Sequence, residues 1–261
     1  MRFEAQGSVG RLTLNRPGEL NAMSPEMIGE LATVAPWLAD RAEIRALVIT
    51  GEGRAFSAGG DVTWFRRGLD DPEIDLVAEV RHGADVLHQA IVDFRRIRYP
   101  VIAAVNGPAA GAGFSLALLC DLRIASEAAF FVCAYGRIGA SPDGGMTYFL
   151  PRLIGPAAAV ELMLEDPNLT AAEALERGLV SQVVEAESLL EIATAKAAEL
   201  GAKSPHYTRM AKRLLGTSLD NSLADHLQLE RHGIADSMGT EDLRNGVARF
   251  FAGETPEFTG S

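Results

Sequence analysis

"GEGRAFSAGGDV", Gly51 to Val62, directly follows the apolar run "RALVIT", Arg45 to Thr50. That run has the make-up of a fully buried strand. Ser57, Ala58, Gly59 and Gly60 are four small residues in a row, and Asp61 after them is a helix-capping residue type. Adjacent glycines at a strand end let the backbone come close to something that a side chain would exclude. A second stretch, "NGPAAGAGFSLA" (Asn106 to Ala117), repeats the form. The strand-like "VIAAVNG" leads into a turn with Gly111 and Gly113, and "GFSLALLCD" continues as a helix. Free N–H groups at one helix start suit an anion. Two such turns converging suit an oxyanion hole, where two N–H donors hold a carbonyl oxygen as it becomes negative. Glycines that serve the turns alone are the competing reading. Neither stretch is a Walker A motif, and "GAGFSL" lacks the third glycine of a dinucleotide fingerprint.

Outward from these turns, strands and helices alternate, so the fold class is α/β. Val9 to Arg16 alternates like a half-buried strand. Ser24-Pro25 is an N-cap followed by proline at the first helical position, opening a helix to about Asp40. A long helix is expected over Asp75–Arg96, ended by "RYP". Leu122–Ser126 and Ala129–Ala134 read as strands, and "SPDGG" is a turn before a helix near Gly145. Past Leu150 helical patterns dominate. The charged "RRGLDDPEID", Arg66 to Asp75, is expected to be a mobile loop.

With 48% apolar residues in 261, the chain can bury a sizeable core. A formal net charge of -11 argues against a general nucleic-acid or anionic-membrane surface. Any anionic ligand then needs local basic groups, such as Arg16, Arg54, Arg66, Arg67, Arg95 and Arg96. Cys120 and Cys133 lie in apolar surroundings and are expected to be buried thiols. The histidines show no HxxxH or HExxH spacing, so no metal site is expected. "MRFEAQGSVG" has no apolar leader stretch, and no run reaches the roughly 18 apolar residues of a membrane span. The expected location is cytoplasmic.

Five motifs in order, "LNRPGELNAMS", "GEGRAFSAGGDV", "PVIAAVNGPAAGAGFSLALLCDLRIAS", "IGASPDGGMTYFLPRLIG" and "ALERGLVSQVV", resemble the crotonase (enoyl-CoA hydratase/isomerase) superfamily. The match runs nearly the whole chain, through "TPEFTG". The resemblance implies a spiral of repeated ββα units over 1–200, carrying an acyl-CoA site. It implies a helical oligomerisation region over 201–261, and a homotrimer or dimer of trimers. The partner it implies is an acyl-CoA thioester, with coenzyme A as part of the substrate and no separate cofactor. Carried over by position, the oxyanion donors are Gly60 and Ala112. Contacts to CoA and substrate map to Arg16, Ala22, Ala58, Gly59, Asp61, Trp64, Gly111, Phe114 and Ser115, with Asp61 also suited to capping a helix. Tyr135 joins the implied catalytic set, with lining of the acyl pocket as its alternative role, and Phe65 is a further candidate to line that pocket. Relatives often carry basic residues for the CoA phosphates where this chain has Gly253 and Glu254, which leaves either Arg54 or Arg66 to substitute, or CoA to bind loosely.

The chain departs from the hydratase pattern. The two glutamates of a typical hydratase would fall at Ser115 and Tyr135, and neither can serve as a carboxylate acid or base near neutral pH. Asp143, eight residues after Tyr135, stands where ring 1,2-epoxyphenylacetyl-CoA isomerases of the phenylacetate pathway and some enoyl-CoA isomerases place their catalytic Asp. "SPDGG" is also good turn chemistry, which makes Asp143 a plain turn residue in the competing view. The 4-chlorobenzoyl-CoA dehalogenases resemble the chain at His88, Tyr135 and Asp143. Four readings follow: an isomerase with Asp143 as acid/base; an aryl-CoA dehalogenase or hydrolase with Asp143 as nucleophile and His88 as base; a hydratase with atypical residues; and a non-catalytic CoA-binding oligomer.

Overall fold

A computed structural model describes residues 1–261. The first half runs β1 (Arg2–Gln6), β2 (Val9–Leu14), α1 (Pro25–Ala39), β3 (Ala46–Gly51), α2 (Val62–Asp70), α3 (Leu76–Arg96), β4 (Val101–Val105), β5 (Ala109–Ala110), α4 (Ala112–Leu119), β6 (Leu122–Ser126) and β7 (Phe130–Val132). The second runs α5 (Met146–Ile154), α6 (Pro156–Glu165), β8 (Leu169–Thr170), α7 (Ala171–Glu176), β9 (Gln182–Val184), α8 (Leu189–Gly201), α9 (Pro205–Thr217), α10 (Leu223–Ser237) and α11 (Glu241–Ala252).

Alternation along β3 decides how the sheet is clothed. Leu47 and Ile49 belong to the large core with α1, α3 and α4, while Ala46 and Val48 pack with Leu189, Ala193 and Ala197 of α8. Successive side chains point to opposite faces, so one strand feeds both layers. Both faces are therefore apolar, as expected of parallel strands covered on two sides. The main sheet has the order β1-β2-β3-β4-β6-β9, parallel from β2 to β9 with β1 antiparallel at the edge. A small sheet, β5-β7-β8, stands beside it.

Helix starts follow the capping residues. Ser24 accepts from the Met27 N–H and Asp75 from the Ala78 N–H, which fixes α1 and α3 close to their expected limits. The expected mobile loop over Arg66–Asp75 is corrected: residues up to Asp70 belong to α2. Asp61 accepts the Thr63 and Trp64 N–H groups, and Arg66 pairs with Asp70 one turn on. Gly68 lets Leu76 pack against the helix, since a Cβ there would lie 2.6 Å from Leu76 Cδ1. Only Asp71–Asp75 is left as a turn.

The C-terminal helices are tied to the body. Lys212 of α9 forms an ion pair with Asp121 at 2.6 Å, and Arg45 donates to the carbonyls of Lys203 and Phe258. The last residues fold back on α11, where the buried Asp242 carboxylate accepts from the Thr259 and Gly260 N–H groups. No helix is long and apolar enough to cross a membrane.

Candidate functional site

The two glycine turns leave the carboxyl ends of the neighbouring parallel strands β3 and β4. In open α/β sheets that is where ligand crevices form. They touch through glycine. Gly59 has φ +88°, and a Cβ there would sit 2.6 Å from the Ala110 carbonyl oxygen and 3.2 Å from the Ala112 nitrogen. Gly113 leaves room for Ser57, whose carbonyl oxygen would lie 2.4 Å from an added Cβ. The Ser57 hydroxyl donates to the Asn21 carbonyl at 2.8 Å and accepts the Gly59 N–H at 3.2 Å. Asn21, fully buried, holds the carbonyls of Glu52 and Ala55. The first turn is thus braced from beneath, and its backbone is also paired between Gly60 and Met23.

Within this frame neither the Gly60 N–H nor the Ala112 N–H donates to a protein acceptor. Ala112 opens α4, whose N-cap Gly111 offers no side-chain cap, so the positive helix end faces the turn. The structure brings Gly59, Gly60, Gly111 and Ala112 together as expected. Ser57 and Asn21 were not among the candidates. The serine of "SAGGDV" was the available signal for the first, and nothing local marks the second.

Asp143 lies on the loop before α5 and reaches the second turn. A Cβ on its neighbour Gly144 (φ +62°) would meet Ser115 Cβ at 3.0 Å and Ala112 Cα at 3.8 Å. The Tyr135 hydroxyl donates to Asp143 Oδ1 at 2.9 Å, and the Ser115 hydroxyl donates to the Asp143 carbonyl at 3.1 Å. The two hydroxyls lie 3.2 Å apart. Burial first, and the Asp143 charge second, push the Tyr135 phenol well above the usual tyrosine range. It stays protonated at physiological pH and acts as a donor to the carboxylate.

Tyr135 is held from behind. Ala134 has φ +66°, a left-handed backbone that favours glycine, and its N–H donates to Asp166 Oδ1 at 2.9 Å. Arg137 grips the same carboxylate at 3.0 Å and also binds Asn168. His88 is exposed on α3, but its Nε2 accepts the Gly144 N–H at 3.4 Å, which sets it beside the Asp143 loop.

Other candidates take different places. Arg16 pairs with Asp61 at 3.2 Å and donates to the Ala22 carbonyl at 2.6 Å, so it braces the first turn. Asp61 caps α2, and the Ala58 N–H donates to the Leu20 carbonyl. Phe65 rather than Trp64 abuts Gly60, its ring 3.3 Å from a Cβ placed there; Trp64 packs against Phe65. Phe114 is 1% exposed and packs its ring on Phe131 in the core beneath the second turn. Arg54 is exposed, Arg66 is paired with Asp70, and Glu254 is paired with Arg249. Both cysteines are buried, and burial raises each thiol to about 12.

A family model described as enoyl-CoA hydratase/isomerase matches residues 4–261. A probable mitochondrial enoyl-CoA hydratase of Dictyostelium discoideum is 37% identical over 97% of this chain and 88% of its own length. A 1,2-epoxyphenylacetyl-CoA isomerase of Escherichia coli is also 37% identical, over 95% of this chain and 94% of its own. The crystal structure of an enoyl-CoA hydratase from Polaromonas sp. JS666 superposes with a TM-score of 0.91 at 34% identity, covering 99% of both chains. The turns, the parallel sheet beneath them and these matches together make the chain a member of the enoyl-CoA hydratase/isomerase family.

Proposed function

We propose that the protein isomerises an unsaturated acyl-CoA thioester, with Asp143 as the single acid/base. The N–H groups of Gly60 and Ala112 would hold the thioester oxygen. Asp143 removes a proton from the carbon beside the carbonyl, and the electron pair moves onto that oxygen to give an enolate. The double bond shifts as the same proton returns two carbons away. Nothing is oxidised and no proton is lost overall. A ring-epoxide acyl-CoA fits the same groups: Asp143 takes the proton beside the carbonyl and returns it as the epoxide's carbon–carbon bond breaks and its oxygen enters an enlarged ring.

One observation carries the reading. The carboxylate at this site is paired with a phenol that burial keeps protonated, and the positions expected for two hydratase glutamates hold Ser115 and Tyr135. Hydration by an acid and a base needs two groups that exchange protons near neutral pH, whereas a shuttle needs one. Hydratase names among the relatives favour the other reaction, so the test must separate them. A 3-enoyl-CoA should give a rising absorbance at the conjugated enoyl-thioester band, lost at least 1000-fold in Asp143→Asn. Near-wild-type turnover by Asp143→Asn, or addition of water by the wild type, refutes the proposal.

The contact between the Gly144 N–H and His88 supports a second reading, in which Asp143 attacks a halogenated aryl-CoA ring, halide leaves to give an aryl ester, and water activated by His88 hydrolyses that ester to release the hydroxyaryl-CoA and restore the carboxylate. Mass spectrometry of rapidly quenched protein tests it, since an arylated Asp143 belongs only to that route. A trimer or dimer of trimers is also proposed. Leu215, Phe250 and Phe251 on α9 and α11 are between 75% and 84% exposed, and assembly would cover them.

A further inference from the structure

Beside the Asp143 loop lies a cavity of about 780 Å³ between α3, α5 and α9. One helical face of α3 lines it: His88, Ile91, Val92 and Arg95, spaced as residues that share a face. The His88 end meets Gly145, and His88 itself accepts the Gly144 N–H. The middle is apolar, with Ile91, Val92 and the Phe149 ring. The far end is cationic: Arg95, Arg96, Arg98, Arg209, Lys212 and Arg213 all line the cavity, and no carboxylate does. Six of the chain's 24 Lys and Arg residues thus surround one cavity in a protein of net charge -11.

Part of this charge is compensated from outside the cavity. Asp121 pairs with Arg95 and Lys212, and Asp93 pairs with Arg96. Arg209 lies against His206. Arg98 and Arg213 have no ion pair, so their charge remains available. The layout from His88 to Arg95 covers seven residues of helix, about 10 Å. It begins beside the candidate acid/base, passes an apolar waist and ends in uncompensated positive charge.

We infer that this cavity receives the distal half of the acyl chain and that the preferred substrate carries a carboxylate at its far end. The inference rests on the acyl-CoA reading of the site and names the substrate class. A methyl-terminated chain would bury apolar surface at the waist but leave the cations unmatched. A carboxylate at that distance gains charge-assisted hydrogen bonds from guanidinium groups.

Calorimetric titration of the full-length protein tests this with three probes: free CoA, a saturated medium-chain acyl-CoA, and the acyl-CoA of equal carbon count ending in a carboxylate. The carboxylate form is expected to bind at least tenfold tighter than the methyl form, which corresponds to about 1.4 kcal/mol. The preference should shrink as salt rises. In the double variant Arg98→Gln with Arg213→Gln, both at exposed positions, the ratio should fall to within about twofold. Equal binding of the two acyl-CoAs by the wild type overturns the inference and leaves the acyl-CoA reading intact. Free CoA weakened by the double variant as much as the carboxylate form would assign the cations to CoA phosphates, which also overturns it. Failure of all three probes to bind refutes the acyl-CoA reading itself.

Discussion

Gly59→Ala attacks the contact between the two turns. With φ at +88°, an alanine there carries a left-handed penalty of about 1–2 kcal/mol. Its Cβ would also lie 2.6 Å from the Ala110 oxygen and 3.2 Å from the Ala112 nitrogen. Carbon and oxygen settle at about 3.3 Å or more, so the turns must part by roughly 0.7 Å. That displacement separates the Gly60 donor from the Ala112 donor. Loss of one oxyanion donor costs about 3–4 kcal/mol in the transition state, so turnover of a 3-enoyl-CoA should fall about 100- to 1000-fold. Gly7→Ala is the control. It has φ +58° and nothing within 4 Å of an added Cβ, so it carries the strain without the collision. Both variants should melt earlier than the wild type, and Gly7→Ala should keep its rate. A folded Gly59→Ala protein, checked by circular dichroism, whose kcat/KM lies within tenfold of Gly7→Ala would refute the oxyanion assignment.

Three further outcomes are expected. Tyr135→Phe removes the donor at Asp143 Oδ1 while Ser115 still holds the Asp143 carbonyl, so kcat should drop about 10- to 100-fold, the worth of a hydrogen bond to a charged group, with KM little changed. Phe114→Ala should cost about 3–5 kcal/mol of stability in denaturant titrations, as for a core phenylalanine, and leave acyl-CoA affinity in the refolded protein nearly unchanged. Burial raises Cys120 and Cys133 from the ordinary 9.0 to about 12, so the unfolded chain loses these protons first. Their contribution to stability is whole below pH 9 and is lost between pH 9 and 12, which thermal melts across that range would follow. Thiol reagents at pH 8 should label neither cysteine until denaturant is added.

The parts of the fold legible in the sequence were those set by neighbours in the chain. Ser24 and Asp75 fixed two helix starts because a cap needs only the next three residues. The runs at β3 and β4 were apolar on both faces, as a twice-covered strand must be. What depended on distant partners was not legible. β5 and β8 are two residues each and exist through their pairing with β7. α2 looked like a charged loop, because neither the Asp61 cap nor the seat of Leu76 on Gly68 has a periodic signature. α4 is buried on every side, so no polar stripe told which of its residues face a pocket and which the core. Asp143 shows why two readings of "SPDGG" both had merit. Its carbonyl accepts the Met146 N–H, as a turn requires, while its carboxylate takes the Tyr135 hydroxyl.

The frame and the variable groups also divide by chemistry. The donor pair comes from main chain, shaped by Gly59 and Gly113 and braced by Ser57 and Asn21, so it does not depend on which side chains point into the crevice. The groups proposed to react stand on α4 and on the residues between β7 and α5. At those positions the chain carries two hydroxyls and one carboxylate. Glutamates in place of Ser115 and Tyr135 would set like charges against Asp143. The hydroxyls instead donate hydrogen bonds to Asp143, one to its carboxylate and one to its carbonyl. The three side chains are linked by hydrogen bonds, Tyr135 to the Asp143 carboxylate, Ser115 to the Asp143 carbonyl and the two hydroxyls to each other. A site with one carboxylate among these three side chains is consistent with the proposed reaction, in which a single proton moves between two carbons of one substrate.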